Sequence, residues 1–430
     1  MTIQNLPFVS VQADWDDVVR EVDSNTIPEG SFWIACYLTG KQSVQGSVLV
    51  KLECPELDVK YITVYGPKTD FYPVKGKAVS CVAISPNGNL FAAGNGDEVS
   101  LGSIAEGKSQ TTLKGHLSDV TTIQFFPSSL VLLTGGADFQ VKIWSVLNGS
   151  NPVTLKGHTS AITSTGIISQ GRNVLSSSRD GTIKLWNCGT SSTITTMGNY
   201  TVPVNQMILA KLPSPYEPAR IEDLDPMEVD TSDRLVLAAL GDGSVRGIHL
   251  GTKKEIFATP TSDIALTAVA YDEETGAIFT GNENGLVQVF SINKGLKEPH
   301  VSWKRNRHAV TSLVTKMSKN GEIVLCVSTA DGSVYQTGPL VNFLGDNKTV
   351  RVESEYTGSE LEPVYDMKVM PSGHESGYQR ILYTLNIKTS TSAWQEITYH
   401  SVAFAKTPVV QAVHPQQDPL APILSTTSAF

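Results

Sequence analysis

Two stretches of this chain align on each other without a gap. His116, Thr134, Asp138 and Trp144 are each followed 42 residues later by His158, Ser176, Asp180 and Trp186. The residues between agree. Thr112-Leu113-Lys114-Gly115-His116 matches Thr154-Leu155-Lys156-Gly157-His158, and Val141-Lys142-Ile143-Trp144 matches Ile183-Lys184-Leu185-Trp186. A period near 42 that opens on Gly-His and ends near Trp is the pattern of a four-stranded antiparallel blade. One such blade cannot bury its own apolar faces. It needs neighbours on both sides, and radial stacking of several supplies them.

Weaker copies flank the strong pair. Each begins with a short strand of alternating apolar residues, as a half-buried strand requires. The starts fall at Val79, Val120, Ile162, Val204, Ala265, Val310 and Val364, separated by 41, 42, 42, 61, 45 and 54 residues. Later strands recur as Val245–Ile248, Leu286–Phe290 and Val334–Thr337, each after an Asp-Gly or Asn-Gly turn. The expected fold is all-β: a seven-bladed WD-repeat β-propeller with a small mixed α/β N-terminal domain. The domain boundaries expected are 1–69 for the N-terminal domain, 70–405 for the propeller and 406–430 for a flexible C-terminal tail. Within 1–69, a short helix is predicted over Asp14–Glu21 and strands over Ser31–Leu38 and Ser47–Leu52. Residues 70–75 read as the outer strand of the last blade, closing the ring and removing its exposed edges.

The long separations place insertions. One spans residues 212–233 in blade four, with Pro213, Pro215, Pro218, Pro226 and an acidic run. That composition predicts a mobile loop. A smaller one lies between Gly338 and Leu361.

Composition narrows the function. The chain has 430 residues, 40% hydrophobic and 17% charged, enough for a large core and too little charge for disorder. A net charge of -9 without a basic run argues against nucleic acid and anionic membrane and favours a basic protein partner. No window approaches the ~20 apolar residues of a membrane helix, and Met1–Ser10 lacks the pattern of a signal peptide. The cysteines Cys36, Cys54, Cys81, Cys188 and Cys326 form no C-x-x-C pair and are expected as reduced thiols. The chain is expected as a monomer in the cytosol, with the nucleus also open to it.

His, Ser, Asp and Trp at fixed spacing invite a catalytic reading. The set occurs twice, which a unique active site does not require, and in a blade it forms a buried chain linking the turns. His116, Thr134, Asp138, Trp144, His158, Ser176, Asp180 and Trp186 are therefore read as structural tetrads. No histidine stands in H-x-x-x-H or H-E-x-x-H, and no Gly-rich string leads into a phosphate-binding Lys-Ser/Thr. No catalytic residue, metal or cofactor is expected, and the chain is not read as an enzyme. The cluster Lys304, Arg305, Arg307 and His308 reads as a solvated blade connection.

Propellers bind through the loops of one face. On the face of the His and Asp turns, Asp119, Asp263, Glu283, Glu360 and Glu362 are candidate partner-binding acids, with Arg179 an exception. Such a patch would hold a Lys/Arg-rich surface.

Two segments go further than a generic repeat. One is Phe125-Phe126-Pro127-Ser128 with Thr134–Asp138 and Val141–Ser145; the other is Gly171–Ser176 with Ser178–Thr182 and Leu185–Gly189. Both resemble the proteasomal ATPase-associated factor family. Lesser echoes are Asp14-Trp15, Phe32–Cys36, Gly40-Lys41, Gly46-Ser47 and Glu362–Tyr365. The resemblance is strong over 110–190 and patchy elsewhere. It implies a chaperone that binds the C-terminal domain of one proteasomal ATPase subunit during assembly of the 19S regulatory particle base. The bound chaperone would prevent premature docking on the core particle. Neither the acidic insertion nor the tail has a counterpart in this resemblance. The runner-up is a substrate receptor or scaffold of a ubiquitin ligase. Against it, Trp144-Ser145-Val146-Leu147 and Trp186-Asn187-Cys188-Gly189 both lack the arginine of the Trp-Asp-x-Arg docking motif.

Overall fold

A computed structural model of the chain describes residues 3–12, 32–41, 44–48, 52–54, 59–65, 69–71, 78–318, 320–345, 348–356, 363–370, 381–384 and 391–394, with isolated positions between 15 and 26. Four-stranded antiparallel sheets follow one another along the chain. The first runs Cys81–Ile84, Leu90–Asn95, Glu98–Ser103 and Lys108–Lys114. The next three begin at Val120, Ile162 and Val204, and two larger sheets at Leu266 and Val310. The last joins Met367–Val369, Ile381–Thr384 and Thr391–Trp394 to Thr69–Phe71 from the other end of the chain. The first strand of each sheet lies beside the first strand of the next. That of the last lies beside Cys81–Ile84, so the inner strands close a ring. This is a β-propeller.

Burial follows from the stacking. Inner strands alternate, as in Ile162–Ile168. Second strands are pressed between neighbouring blades, so Asn173–Ser178 and Ala277–Asn282 are buried throughout. Outer strands such as Lys108–Lys114 are largely exposed. Blades approach so closely that a Cβ on Gly135 would lie 2.5 Å from Ile162, and one on Gly281 2.4 Å from Val310. Glycine is required at both for steric reasons.

A chain of side-chain bonds links the inner strands. Ser80 Oγ donates to the Val120 carbonyl at 2.6 Å, Thr121 to Ile162 at 2.6 Å and Thr163 to Val204 at 2.8 Å. Asn205 Nδ2 continues to Leu266 at 2.7 Å and Thr267 to Val310 at 2.5 Å. Each of the first five blades thus carries a side-chain donor that joins it to the next, whereas Thr311 of blade six bonds Ser328 within its own blade.

The closing strand is Thr69–Phe71, with Thr69, Asp70 and Phe71 opposite Ala393, Ser392 and Thr391. It lies at the start of the expected 70–75 segment; residues 72–77 are outside the described set. The rest of the N-terminal region attaches to blades five and six. Gln4–Asn5 runs parallel to Val301–Lys304, and Val59–Tyr65 runs parallel to Val352–Tyr356. Between them lies a three-stranded sheet of Phe8–Val11, Phe32–Tyr37 and Val44–Val48. Leu6, Ile34, Cys36 and Ile62 share one core with Trp303, Leu340 and Phe343. The second strand predicted here thus runs Val44–Val48 instead of Ser47–Leu52. Of the predicted helix, Trp15, Asp17, Val18 and Glu21 are described and helical; its remainder and the tail 406–430 lie outside the described residues.

Two expectations need correction. The insertion 212–233 is held, not mobile. Asn173 of blade three donates to the Met227 carbonyl at 3.1 Å and accepts from the Val229 N–H at 2.6 Å. Glu228 is buried, and pairs with Lys253 at 2.6 Å and Thr231 at 2.7 Å. A buried carboxylate with two partners anchors a loop that its composition alone would leave free. The second correction concerns Arg305. It is not solvated but 2% exposed, paired with the buried Glu355. Its Nε donates to the Pro7 carbonyl at 2.8 Å and its Nη1 to Ser333 Oγ at 3.1 Å. Arg307 and His308 remain exposed and Lys304 half-buried.

Candidate partner-binding face

The tetrads are built as the spacing requires. His116 Nδ1 donates to Asp138 at 3.0 Å, and its Nε2 lies 2.7 Å from Thr134 Oγ1. The Trp144 indole N–H donates to that same hydroxyl at 2.9 Å. In blade three, His158 lies 2.8 Å from both Asp180 and Ser176, and Trp186 donates to Ser176 Oγ at 2.8 Å. With the ring neutral, the carboxylate requires the proton on Nδ1, and each hydroxyl then donates to Nε2 while accepting from the indole. Burial pushes both histidine pKa values below the usual range, against the opposing pull of the paired carboxylates. Burial tends to raise the Asp180 pKa. The N–H of Thr159, the Thr182 hydroxyl and His158 outweigh it and hold the carboxyl at about 2.

Ser176, His158 and Asp180 thus stand in the order of a nucleophile, base and orienter. However, Ser176 is wholly buried and its oxygen is occupied by Trp186. The arrangement ties the turn before the inner strand to the turn between the second and third strands. Its role is to fix the loops of one face.

That face carries three of the five candidate acids. Asp119 precedes the inner strand of blade two, and its carbonyl accepts the Ala137 N–H at 2.8 Å. Asp263 and Glu283 share one corner of blade five, where the Glu283 N–H donates to Ala265 at 3.2 Å. All three are exposed. Asp119 stands three blades from the other two, so they do not form one cluster. Arg179 is exposed on the same face, on blade three, and Arg307 on blade six. Glu360 and Glu362 lie outside the described residues. Missed by the sequence reading were Leu117 and Phe139, exposed apolar side chains beside Asp138. The signal was available: blade three has Gly181 where blade two has Phe139.

The axial cavity, of about 620 Å³, is lined by inner-strand residues such as Thr122, Gln124, Thr165 and Gln206. Several of its polar groups are engaged between blades: Thr122 with Thr165 at 3.3 Å, and Gln206 with the Val269 N–H at 2.5 Å. Among the described residues no group of three or more His, Cys, Asp or Glu is placed to hold a metal, and no helix is long and apolar enough to cross a membrane. Cys36, Cys81 and Cys326 are buried thiols, and Cys188 is a half-buried one. Burial lifts the Cys81 thiol to about 12 and those of Cys188 and Cys326 to about 11. Such thiols carry little thiolate at neutral pH.

The family model described as WD domain, G-beta repeat matches residues 69–99, 107–145 and 149–187. The fold is a WD-type propeller. Each sequence repeat is offset from the blade by one strand: 107–145 takes the outer strand of one blade and the first three of the next. The curated relatives include proteins named Proteasomal ATPase-associated factor 1. That of Homo sapiens is 27% identical over 28% of this chain, and that of Gallus gallus 30% over 28%. That of Bos taurus is 26% identical over 27%. The family resemblance is borne out. The match spans 35–36% of the length of these relatives.

Proposed function

We propose that this chain is a non-catalytic assembly chaperone, a seven-bladed propeller that binds the C-terminal domain of a proteasomal ATPase subunit. On this reading it acts in the cytosol and nucleus while the base of the 19S regulatory particle is assembled, and keeps the bound ATPase from docking early on the core particle. The observation that carries the reading is the similarity to proteins named for association with the proteasomal ATPase. Two physical points support it. Both hydroxyl-histidine-aspartate groups among the tetrads, at Thr134 and at Ser176, are buried. The loops of the opposite role, contact with a partner, are fixed by buried networks and exposed at their tips, which suits recognition without chemistry.

Affinity purification of the full-length tagged chain from growing cells tests this. The expected result is recovery of a proteasomal ATPase subunit with few core-particle subunits. The double variant Asp119→Lys with Glu283→Lys should weaken that capture and flatten its dependence on salt. Recovery of a cullin adaptor in place of the ATPase would overturn the assignment in favour of a ubiquitin-ligase receptor.

A further inference from the structure

Phe139 holds a φ of 66°, in the left-handed region. The equivalent turn position in blades three to six is glycine: Gly181, Gly243, Gly285 and Gly332, with φ of 79°, 76°, 75° and 85°. Glycine adopts this region freely, whereas a Cβ there meets the following carbonyl, so a bulky residue is strained. The interior offers Phe139 no full compensation, because it is 44% exposed. Leu117 beside it is 82% exposed. The two flank one carboxylate: the Leu117 N–H donates to Asp138 Oδ2 at 3.0 Å, and Phe139 follows Asp138 in the chain. Asp138 is itself locked by His116.

An exposed apolar pair, one member of it on a strained turn, above a rigid buried network is organised for contact before any partner arrives. Its surroundings define that partner. Asp119, two residues from Leu117, is exposed. The Val120 N–H donates to the Gly96 carbonyl at 2.8 Å, which brings the blade-one turn with exposed Asp97 alongside. Lys114 on the adjoining outer strand is matched to Glu98 at 2.9 Å. On the blade-one side the rim of the apolar pair is therefore acidic, while Arg179 of blade three stands on the same face. We propose that Leu117 and Phe139 are the apolar centre of the partner-binding face, with Asp119 and Asp97 at its rim. The occupant is a protein segment presenting an apolar side chain flanked by lysine or arginine. This rests on the reading of the chain as a protein-binding propeller and narrows its site to blade two.

The test is interferometry on the full-length chain. One set of probes is the C-terminal domains of the individual proteasomal ATPase subunits. The other is a synthetic peptide with leucine between lysines, with versions carrying serine for leucine or glutamate for lysine. Phe139→Gly and Leu117→Ser are expected to weaken binding at least about tenfold, as truncation at the centre of an interface does. Phe139→Gly should leave Tm unchanged or raise it by about 1–2 °C, since it relieves the turn. If an ATPase domain binds wild type and both variants equally, the site is overturned and the proposed function stands. If no ATPase domain binds, yet the Lys-Leu-Lys peptide binds selectively and loses affinity in both variants, the site stands and the proposed function falls. If Phe139→Gly lowers Tm by several degrees, Phe139 serves the fold and the proposal fails. If neither probe binds wild type, the proposal fails with the function.

Discussion

Blades two and three are tied from within, whereas blades five and six are tied from the far end of the chain. In the first pair, one repeat supplies all four members of each network, His, Asp, Ser or Thr, and Trp. In blade six, Asn306 takes the place of the histidine and bonds Asp331 at 2.7 Å. Thr337 stands at the tryptophan position. What holds this corner is Arg305 against Glu355, with Tyr335 4.5 Å below the guanidinium and Pro7 capping it from the N-terminal segment. Trp303 of blade five donates to the Tyr335 hydroxyl at 3.0 Å and completes the junction. A repeat can lose its tetrad when another ion pair, capped by groups from outside the repeat, replaces it. The replacement then depends on a segment that the other blades do not need.

The largest effect expected follows from this dependence. Arg305→Met leaves Glu355 buried without its partner, at a cost of about 3–5 kcal/mol. Arg305→Met with Glu355→Leu removes both charges and should recover most of that loss, because an apolar pair needs no desolvation. Denaturant unfolding of the two variants beside wild type decides it. A single variant within about 1 kcal/mol of wild type would mean the junction is held by the Trp303–Tyr335 contact and the shared core instead.

The internal network should give a smaller loss. Ser176→Ala removes the atom that joins Trp186 to His158 and leaves one buried donor and one buried acceptor unpaired. The expected cost is about 1–3 kcal/mol in the same unfolding measurement. A cost as large as that of Arg305→Met would erase the distinction drawn between the two regions.

The difference between these regions also explains what the sequence disclosed. Inner strands begin at Val120, Ile162, Val204 and Val310, where alternation places them, and at Leu266, one residue after Ala265. Those strands repeat a local pattern with a fixed period, and so do the tetrads. The inter-blade donors were legible by the same rule: Ser80, Thr121, Thr163 and Asn205 each follow the first apolar residue of their repeat, and Thr267 stands two after Ala265. Arg305 was not, because its carboxylate lies 50 residues downstream and its cap 298 residues upstream. Charge in a connection reads as solvated until a remote segment is laid over it. The insertion misleads in the same way. Its prolines and acids speak for mobility, while the residue that holds it, Asn173, sits in the preceding blade.

The smallest effect is a pH dependence that belongs to the tetrads. Burial holds His116 and His158 below their usual pKa, so the unfolded chain binds protons that the folded chain refuses. Their contribution is complete above about pH 6.5, the unfolded value, and is lost as pH falls below it. Each histidine can add no more than about 1.4 kcal/mol of lost stability per pH unit. Asp180, held at about 2, contributes in a separate window: its share is present above the unfolded carboxylate value and lost only as pH falls toward 2. Between pH 7.5 and 5.5 the histidine slope is therefore separate from that of Asp180. His158→Asn gives blade three the residue that blade six already uses against its aspartate, and removes one titrating ring. The unfolding midpoint should then fall less steeply over that range than in wild type, even if the variant is less stable at pH 7.5. An unchanged slope would mean that His158 takes up its proton without disturbing the fold, and that the neutral ring is no part of what ties the blade.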